Sequence, residues 1–149
     1  MKTNFLALPL AAATALVCSC QEVKMKVETA GDAAFARKTF ESLARGDQAV
    51  SADIDWKTLK SFGTDVGAAY VVMASEEDQR RFREGFITQF SSAFQTAGGK
   101  VEAFGGWKVI EHDATHTVVT AVSPDKILRI TVNERDGKER VSGFGVTPL

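Results

Sequence analysis

The stretch Ser75–Gly99, SEEDQRRFREGFITQFSSAFQTAGG, constrains the fold more than any other part of the chain. Phe82, Phe86, Phe90 and Phe94 recur at spacings of four, and Ile87, Ala93 and Ala97 widen the same stripe. That period is helical, so the segment is expected to form one long amphipathic helix. Both ends are marked. Ser75 followed by Asp78 is a capping box, in which side chains satisfy orphan backbone donors. Glu76, Glu77 and Asp78 put negative charge at the positive end of the helix dipole. Gly98 and Gly99 supply a C-terminal cap. Burying one phenylalanine side chain stabilises by about 1.5–3 kcal/mol. A helix with four such rings on one side therefore requires a broad apolar partner from the rest of the chain.

Upstream, Asp32–Arg45 reads as a helix capped by Asp32, with Ala36, Phe40, Leu43 and Ala44 on one face, Phe35 at its edge and Gly46 as its stop. A turn with a short helical piece at Gln48–Ser51 follows. Asp55 is read as the cap of a short helix through Trp56, Leu59 and Phe62, closed by Gly63. Thr64 or Asp65 starts another through Val66, Ala69, Tyr70 and Met73. The β-branched Val71 and Val72 weaken that helix. On the outer face of the long helix, Glu76–Arg80 and Glu77–Arg81 are i,i+4 pairs in the favourable order. Arg80, Arg81 and Arg83 read either as members of balanced surface pairs or as an anion patch.

After Gly99 the period changes from helical to alternating. Lys100–Phe104 is a short strand candidate, and Gly106–His112, His116–Ser123, Lys126–Glu134 and Lys138–Thr147 are clearer ones. Leu128, Ile130 and Val132 alternate onto one side, and Asp136-Gly137 is a hairpin signal. Gly143 and Gly145 within the last strand point to a bulge, a bend or a close approach. Helices first and a meander second is the α+β order. The expected fold is N-terminal helices packed on one face of a curved, roughly four-stranded antiparallel meander sheet. With 149 residues, 44% of them apolar, one domain is expected.

The N-terminus is set aside from the fold. Lys2 precedes the apolar run Phe5–Val17, which is too short to span a bilayer of roughly 30 Å as a helix. Val17-Cys18-Ser19-Cys20 follows. This segment resembles the lipobox of bacterial lipoproteins, with Cys20 in the place of the lipid-modified cysteine. The alternative is an ordinary secretory signal cut near Ala15 or Ser19. Under the resemblance, residues 1–19 are a signal peptide, 20–31 a lipid-anchored tether and 32–149 the domain. Val23, Met25 and Val27 alternate with charged residues, so the tether is either a short edge strand or a plain spacer. Both cysteines lie in this leader region, so the mature domain holds no disulfide. Two or more acyl chains anchor a protein stably. Gln21 rather than aspartate after the cysteine implies, by the same resemblance, the outer membrane of a cell envelope. Removing Lys2 with the leader leaves 17 basic against 19 acidic side chains, which argues against nucleic acid as a partner.

Leu43-Ala44-Arg45-Gly46-Asp47, Trp107-Lys108-Val109 and Asp136-Gly137-Lys138 resemble landmarks of the nuclear-transport-factor-two-like (cystatin-like) fold group. Ile54-Asp55-Trp56, Tyr70 and Ala74-Ser75-Glu76-Glu77 are similar to the periplasmic phospholipid shuttles of the toluene-tolerance family. Those carriers are longer and free to diffuse. The first resemblance implies a pocket between sheet and helices, with Trp56, Tyr70, Met73, Phe86, Phe90 and Trp107 as candidate liners. The same aromatic residues read equally as a filled core. Enzymes of this fold group, such as ketosteroid isomerases, place an aspartate and a tyrosine in the pocket, and Asp55, Asp65 and Tyr70 are the right residue types. Helix capping explains both aspartates without catalysis. His112 and His116 flank Asp113 across a predicted turn, where a hairpin brings them together as metal ligands or leaves them solvated. The reading assigns no catalytic residue, no metal and no cofactor. It expects an envelope lipoprotein held at the membrane through Cys20, acting as a non-catalytic binding module for a protein partner or a small apolar ligand. The alternatives are a phospholipid- or hydrophobic-ligand-handling protein and a small pocket enzyme.

Overall fold

A computed structural model describes Lys24 and residues 29–149. The leader, Cys20 and the edge strand or plain spacer expected around Val23–Val27 lie outside the described residues, apart from Lys24. Helix α1 (Ala30–Arg45) starts before the expected Asp32, which sits in its first turn while Thr29 takes the cap position. The last tether residues therefore belong to the helix. Gly46 N–H donates to Leu43 O and Asp47 N–H to Ser42 O, both at 3.0 Å. Asp47 then caps a 3-10 helix, Gln48–Asp53, by accepting from Ala49 N at 2.9 Å.

The helix expected after Asp55 does not form. Asp55 N–H donates instead to Val141 O at 2.8 Å, and Ile54 bridges Val141 in parallel. The chain is thus tied to the last strand, and the next residues become strand β1 (Lys60–Ser61) and strand β2 (Thr64–Asp65). Hydrogen bonds to the edge of the last strand outweigh the weak helical pattern of Trp56, Leu59 and Phe62. Asp65 caps helix α2 (Val66–Val71), its Oδ1 accepting from Ala68 N at 2.9 Å. Helix α2 stops at the two β-branched valines, before Met73.

Helix α3 (Glu76–Thr96) is the long helix of the phenylalanine stripe. Ser75 Oγ accepts from Asp78 N at 3.1 Å, and its hydroxyl donates to the Asp78 carboxylate at 2.7 Å. At the other end Gly98 N–H donates to Gln95 O at 2.9 Å and Gly99 N–H to Phe94 O at 2.8 Å, a Schellman closure. Arg80 pairs with Glu77 and Glu84 rather than with Glu76, and Arg81 pairs with Glu77. The segment expected as a first strand, Lys100–Phe104, holds a 3-10 turn at Val101–Ala103. Strands β3 (Gly105–His112), β4 (Thr117–Val122), β5 (Lys126–Arg135) and β6 (Lys138–Pro148) follow.

The fold is α+β. Strands β3 to β6 form the antiparallel meander, but the sheet has six strands in the order β2-β1-β6-β5-β4-β3. Strand β1 runs parallel to β6, so the sheet is mixed, and it is not closed. A register shift between β5 and β6 at Thr131/Val132 lies beside Gly143. Val119, Leu128, Ile130, Val132, Val141 and Phe144 form the sheet's share of the core.

The helix lying along the meander is α1, which touches β3, β4, β5 and β6, whereas α3 packs on α1 and on the 3-10 helix. Phe90 of α3 also reaches the sheet, its ring centroid 5.6 Å from that of Phe144. On α3 only Ile87 and Ser91 are buried; the four phenylalanines are half-buried, and Ala93 and Ala97 are exposed. A four-residue step overshoots one helical turn by roughly 40°. The stripe therefore winds around the helix, and no single flat contact covers all four rings.

Helix α2 is seated by a backbone contact. Gly67 N–H donates to Leu59 O at 2.9 Å, and a Cβ at Gly67 would lie 2.5 Å from Lys57 O. Gly67→Ala is expected to lower unfolding free energy by about 1–3 kcal/mol, the range for overpacking. Urea denaturation checks it; an unchanged midpoint contradicts the contact.

Candidate functional site

Beside the C-terminal half of α3, which rests on α1 and reaches the sheet where the Phe90 ring lies 5.6 Å from that of Phe144, is a cavity of about 650 Å³. Phe86, Phe90 and Phe94 of α3 form one wall, and Leu128 and Val146 of the sheet form the other. Phe40 and Phe104 also line it. The phenylalanine edges that the winding stripe leaves uncovered are what make the cavity apolar. Polar side chains gather at its border: Gln89, Lys100 and an ion pair between Lys126 Nζ and Asp125 Oδ2 at 3.2 Å. Hydrogen bonds from Lys126 and Ser123 hold the Asp125 carboxyl below its usual pKa.

Phe62 stands at the edge of this cavity on the β1–β2 turn. Its ring lies 5.8 Å from Phe90, yet the residue is 49% exposed. The two turn residues, Phe62 and Gly63, have φ of 49° and 85°, the double positive φ of a type I′ hairpin that favours Asn-Gly. Phenylalanine in the left-handed region costs about 1–2 kcal/mol. Phe62 and Phe86 also line a neighbouring hollow of about 610 Å³, which includes Val66, Phe82 and Arg81. The residue with the strained backbone thus borders both spaces, in keeping with strain held at ligand-contacting positions.

Of the residues singled out in the sequence, Phe86 and Phe90 meet at this cavity. Trp56 and Tyr70 line a third hollow, of about 580 Å³, together with Asp55 and several basic side chains. Trp107 packs on Phe40 with ring centroids 6.1 Å apart, and its Nε1–H donates to Phe104 O at 3.2 Å. Met73 lies beyond α2, its N–H donating to Tyr70 O at 3.2 Å. Phe62, Phe94, Phe104, Leu128 and Val146 complete the cavity wall without having been candidates. Phe94 was legible in the stripe. Phe62 was hidden by the helical reading of its segment.

The acid–base candidates are occupied by other partners. Asp55 is 4% exposed, accepts from Asn133 Nδ2 at 3.2 Å, and pairs with Arg135 Nη2 at 3.3 Å. Tyr70 Oη accepts from Arg83 Nη1 at 2.7 Å and donates to Gln79 Oε1 at 3.3 Å. Asp65 is a helix cap. His116 meets Glu111 through Nε2 and Asp113 through Nδ1, each at 3.1 Å, whereas His112 bonds Thr117 Oγ1 at 2.9 Å. Glu111, Asp113 and His116 thus come within reach of one cation. Asp113 also accepts from the Thr115 hydroxyl and from the Thr115 and His116 N–H groups, which lower its pKa to about 2. The three groups are bound to one another as the internal bracing of the β3–β4 turn.

Near the β5–β6 hairpin, Glu139 is hydrogen-bonded to Asp32 and faces Glu134 across the strands. The hydrogen bond with Asp32, burial and the charges of Asp32 and Glu134 raise its pKa to about 7. A folded-state pKa above the unfolded one means the folded state holds the proton more tightly. That stability is fully present below the ordinary carboxylate range and is lost as pH rises towards 7. Denaturation at several pH values should show wild type weakening across this window and Glu139→Gln weakening less. Parallel curves would contradict the raised Glu139 pKa.

Among the described residues no helix is long and apolar enough to cross a membrane. Comparison with known protein families, curated proteins and solved structures finds no match.

Proposed function

We propose that this chain is a non-catalytic binding module for a small apolar ligand of the acyl-chain type, taken up in the cavity beside α3. We propose also that it acts at a bacterial envelope membrane, held there by lipid on Cys20. The observation that carries the binding reading is the cavity of about 650 Å³ walled by phenylalanine edges. Its size lies within the roughly 300–1,000 Å³ of small-molecule sites. A filled core would have favoured a protein partner, since no interior space would then remain for a ligand. The border supports the orientation of an amphiphile, with its chain inward and its polar end beside Lys100. A pocket enzyme draws less support, because Asp55 is already ion-paired in a different hollow from the apolar cavity.

The test is calorimetric titration of the full chain with fatty acids of increasing length. Each buried methylene contributes about 0.8 kcal/mol, so affinity should rise about fourfold per carbon until the cavity is filled. A flat, weak response along the series would contradict the proposal. Phe62→Asn carries a second expectation with opposite signs. The Asn-Gly turn should raise the melting temperature, while loss of the ring should weaken acyl-chain binding several-fold. A variant that is more stable and binds equally well would remove Phe62 from the site.

A further inference from the structure

We propose that the hollow lined by Trp56 and Tyr70 binds an oxyanion of the phosphate type, independently of the apolar cavity. The hollow lies by the N-terminal half of α3 and the β5–β6 hairpin, at the other end of both elements from the cavity. Lys57, Arg83, Arg135 and Arg140 line it, against only two carboxylates, Asp55 and Asp136. Arg135 is the one engaged with Asp55. The ion pairs among the described residues leave Lys57, Arg83 and Arg140 without a carboxylate partner. This excess of positive charge in one concavity is unfavourable by itself and is relieved by a bound anion.

The three cations come from three separate parts of the fold: the loop before β1, helix α3 and strand β6. All three nonetheless line this one hollow. Arg80 and Arg81 are taken up by Glu77 and Glu84, but Arg83 turns towards Tyr70. Its guanidinium lies 5.9 Å from the Tyr70 ring centroid, and Nη1 is spent on Tyr70 Oη. That contact fixes the group's direction and leaves further donors of the fork for an oxyanion. Arginine's planar donors suit the paired oxygens of phosphate. Buried Ile54, Trp56 and Tyr70 line the same hollow and lower the local dielectric, which strengthens each charged contact.

The chemistry fits free phosphate, a soluble phosphate monoester or a lipid headgroup, and one experiment separates them. The two tryptophans give two indole N–H resonances, assigned with a Trp107→Phe variant. The full chain is titrated with inorganic phosphate against chloride at matched ionic strength, and separately sedimented with vesicles of phosphatidic acid or of phosphatidylcholine. A saturable shift of the Trp56 indole alone, weakened about tenfold in Arg140→Gln and also weakened in Lys57→Gln, supports a site for soluble phosphate. Sedimentation with phosphatidic acid only, lost in both variants and without a response to free phosphate, supports a headgroup. Lys57 is exposed, so its variant tests the site even if Arg140→Gln unfolds. Neither response, or a response the variants leave unchanged, overturns the proposal. Its failure leaves the acyl-chain titration untouched.

Discussion

The ring of Phe40 is where the layers of this protein meet. It is 2% exposed and belongs to α1, the helix that lies along the meander. Phe104, Phe94 and Phe90 approach it edge-on, with centroids 5.3, 5.7 and 6.5 Å away, and Trp107 lies tilted at 6.1 Å. Edge-to-face contacts hold rings several ångströms apart and contribute about 0.5–1.5 kcal/mol per pair beyond their burial. One side chain thereby joins α1, α3, the segment after the 3-10 turn and β3. It also sets a spacing, because α3 meets α1 through this layer of rings, with Phe90 reaching on to Phe144 of β6 at 5.6 Å.

That spacing produces the cavity. A helix whose phenylalanines wind around it cannot turn all of them towards one partner. Ile87 and Ser91 take the buried line, the Ser91 hydroxyl donating to Ala44 O at 2.9 Å, and the rings of Phe86, Phe90 and Phe94 fall to its side. Half-covered aromatic edges facing Leu128 and Val146 across open space are the elements of an apolar binding site. Phe62 closes one border at the cost of a strained backbone. The basic hollow is separate in place and in chemistry, since it shares no lining residue with the apolar cavity.

Much of this was legible in the residues. The cap at Ser75, the stop at Gly98-Gly99, the Asp136-Gly137 hairpin and the alternation of Leu128, Ile130 and Val132 are local signals, and local hydrogen bonds decide them. The segment Asp55–Gly63 was not legible, because a parallel pairing to a strand some 80 residues later determines it. Asp55 looked like a cap and became a buried ion-pair acceptor for the same reason, since Arg135 and Asn133 are brought to it only by the sheet. Phe86 and Phe90 of the stripe both line the cavity beside α3. Trp56, Tyr70 and Trp107 share their aromatic character but face other surroundings, and residue type alone carries no information about which hollow a ring will line.

The central claim is that the gap held open by the Phe40 ring layer is where an apolar ligand sits. Intermolecular nuclear Overhauser effects between a saturated fatty acid and the full chain test it most directly. The account predicts contacts from the acyl protons to the rings of Phe62, Phe90 and Phe94 and to the Leu128 methyl groups. Contacts only to the Trp56 and Tyr70 rings, or none to any ring, would contradict it.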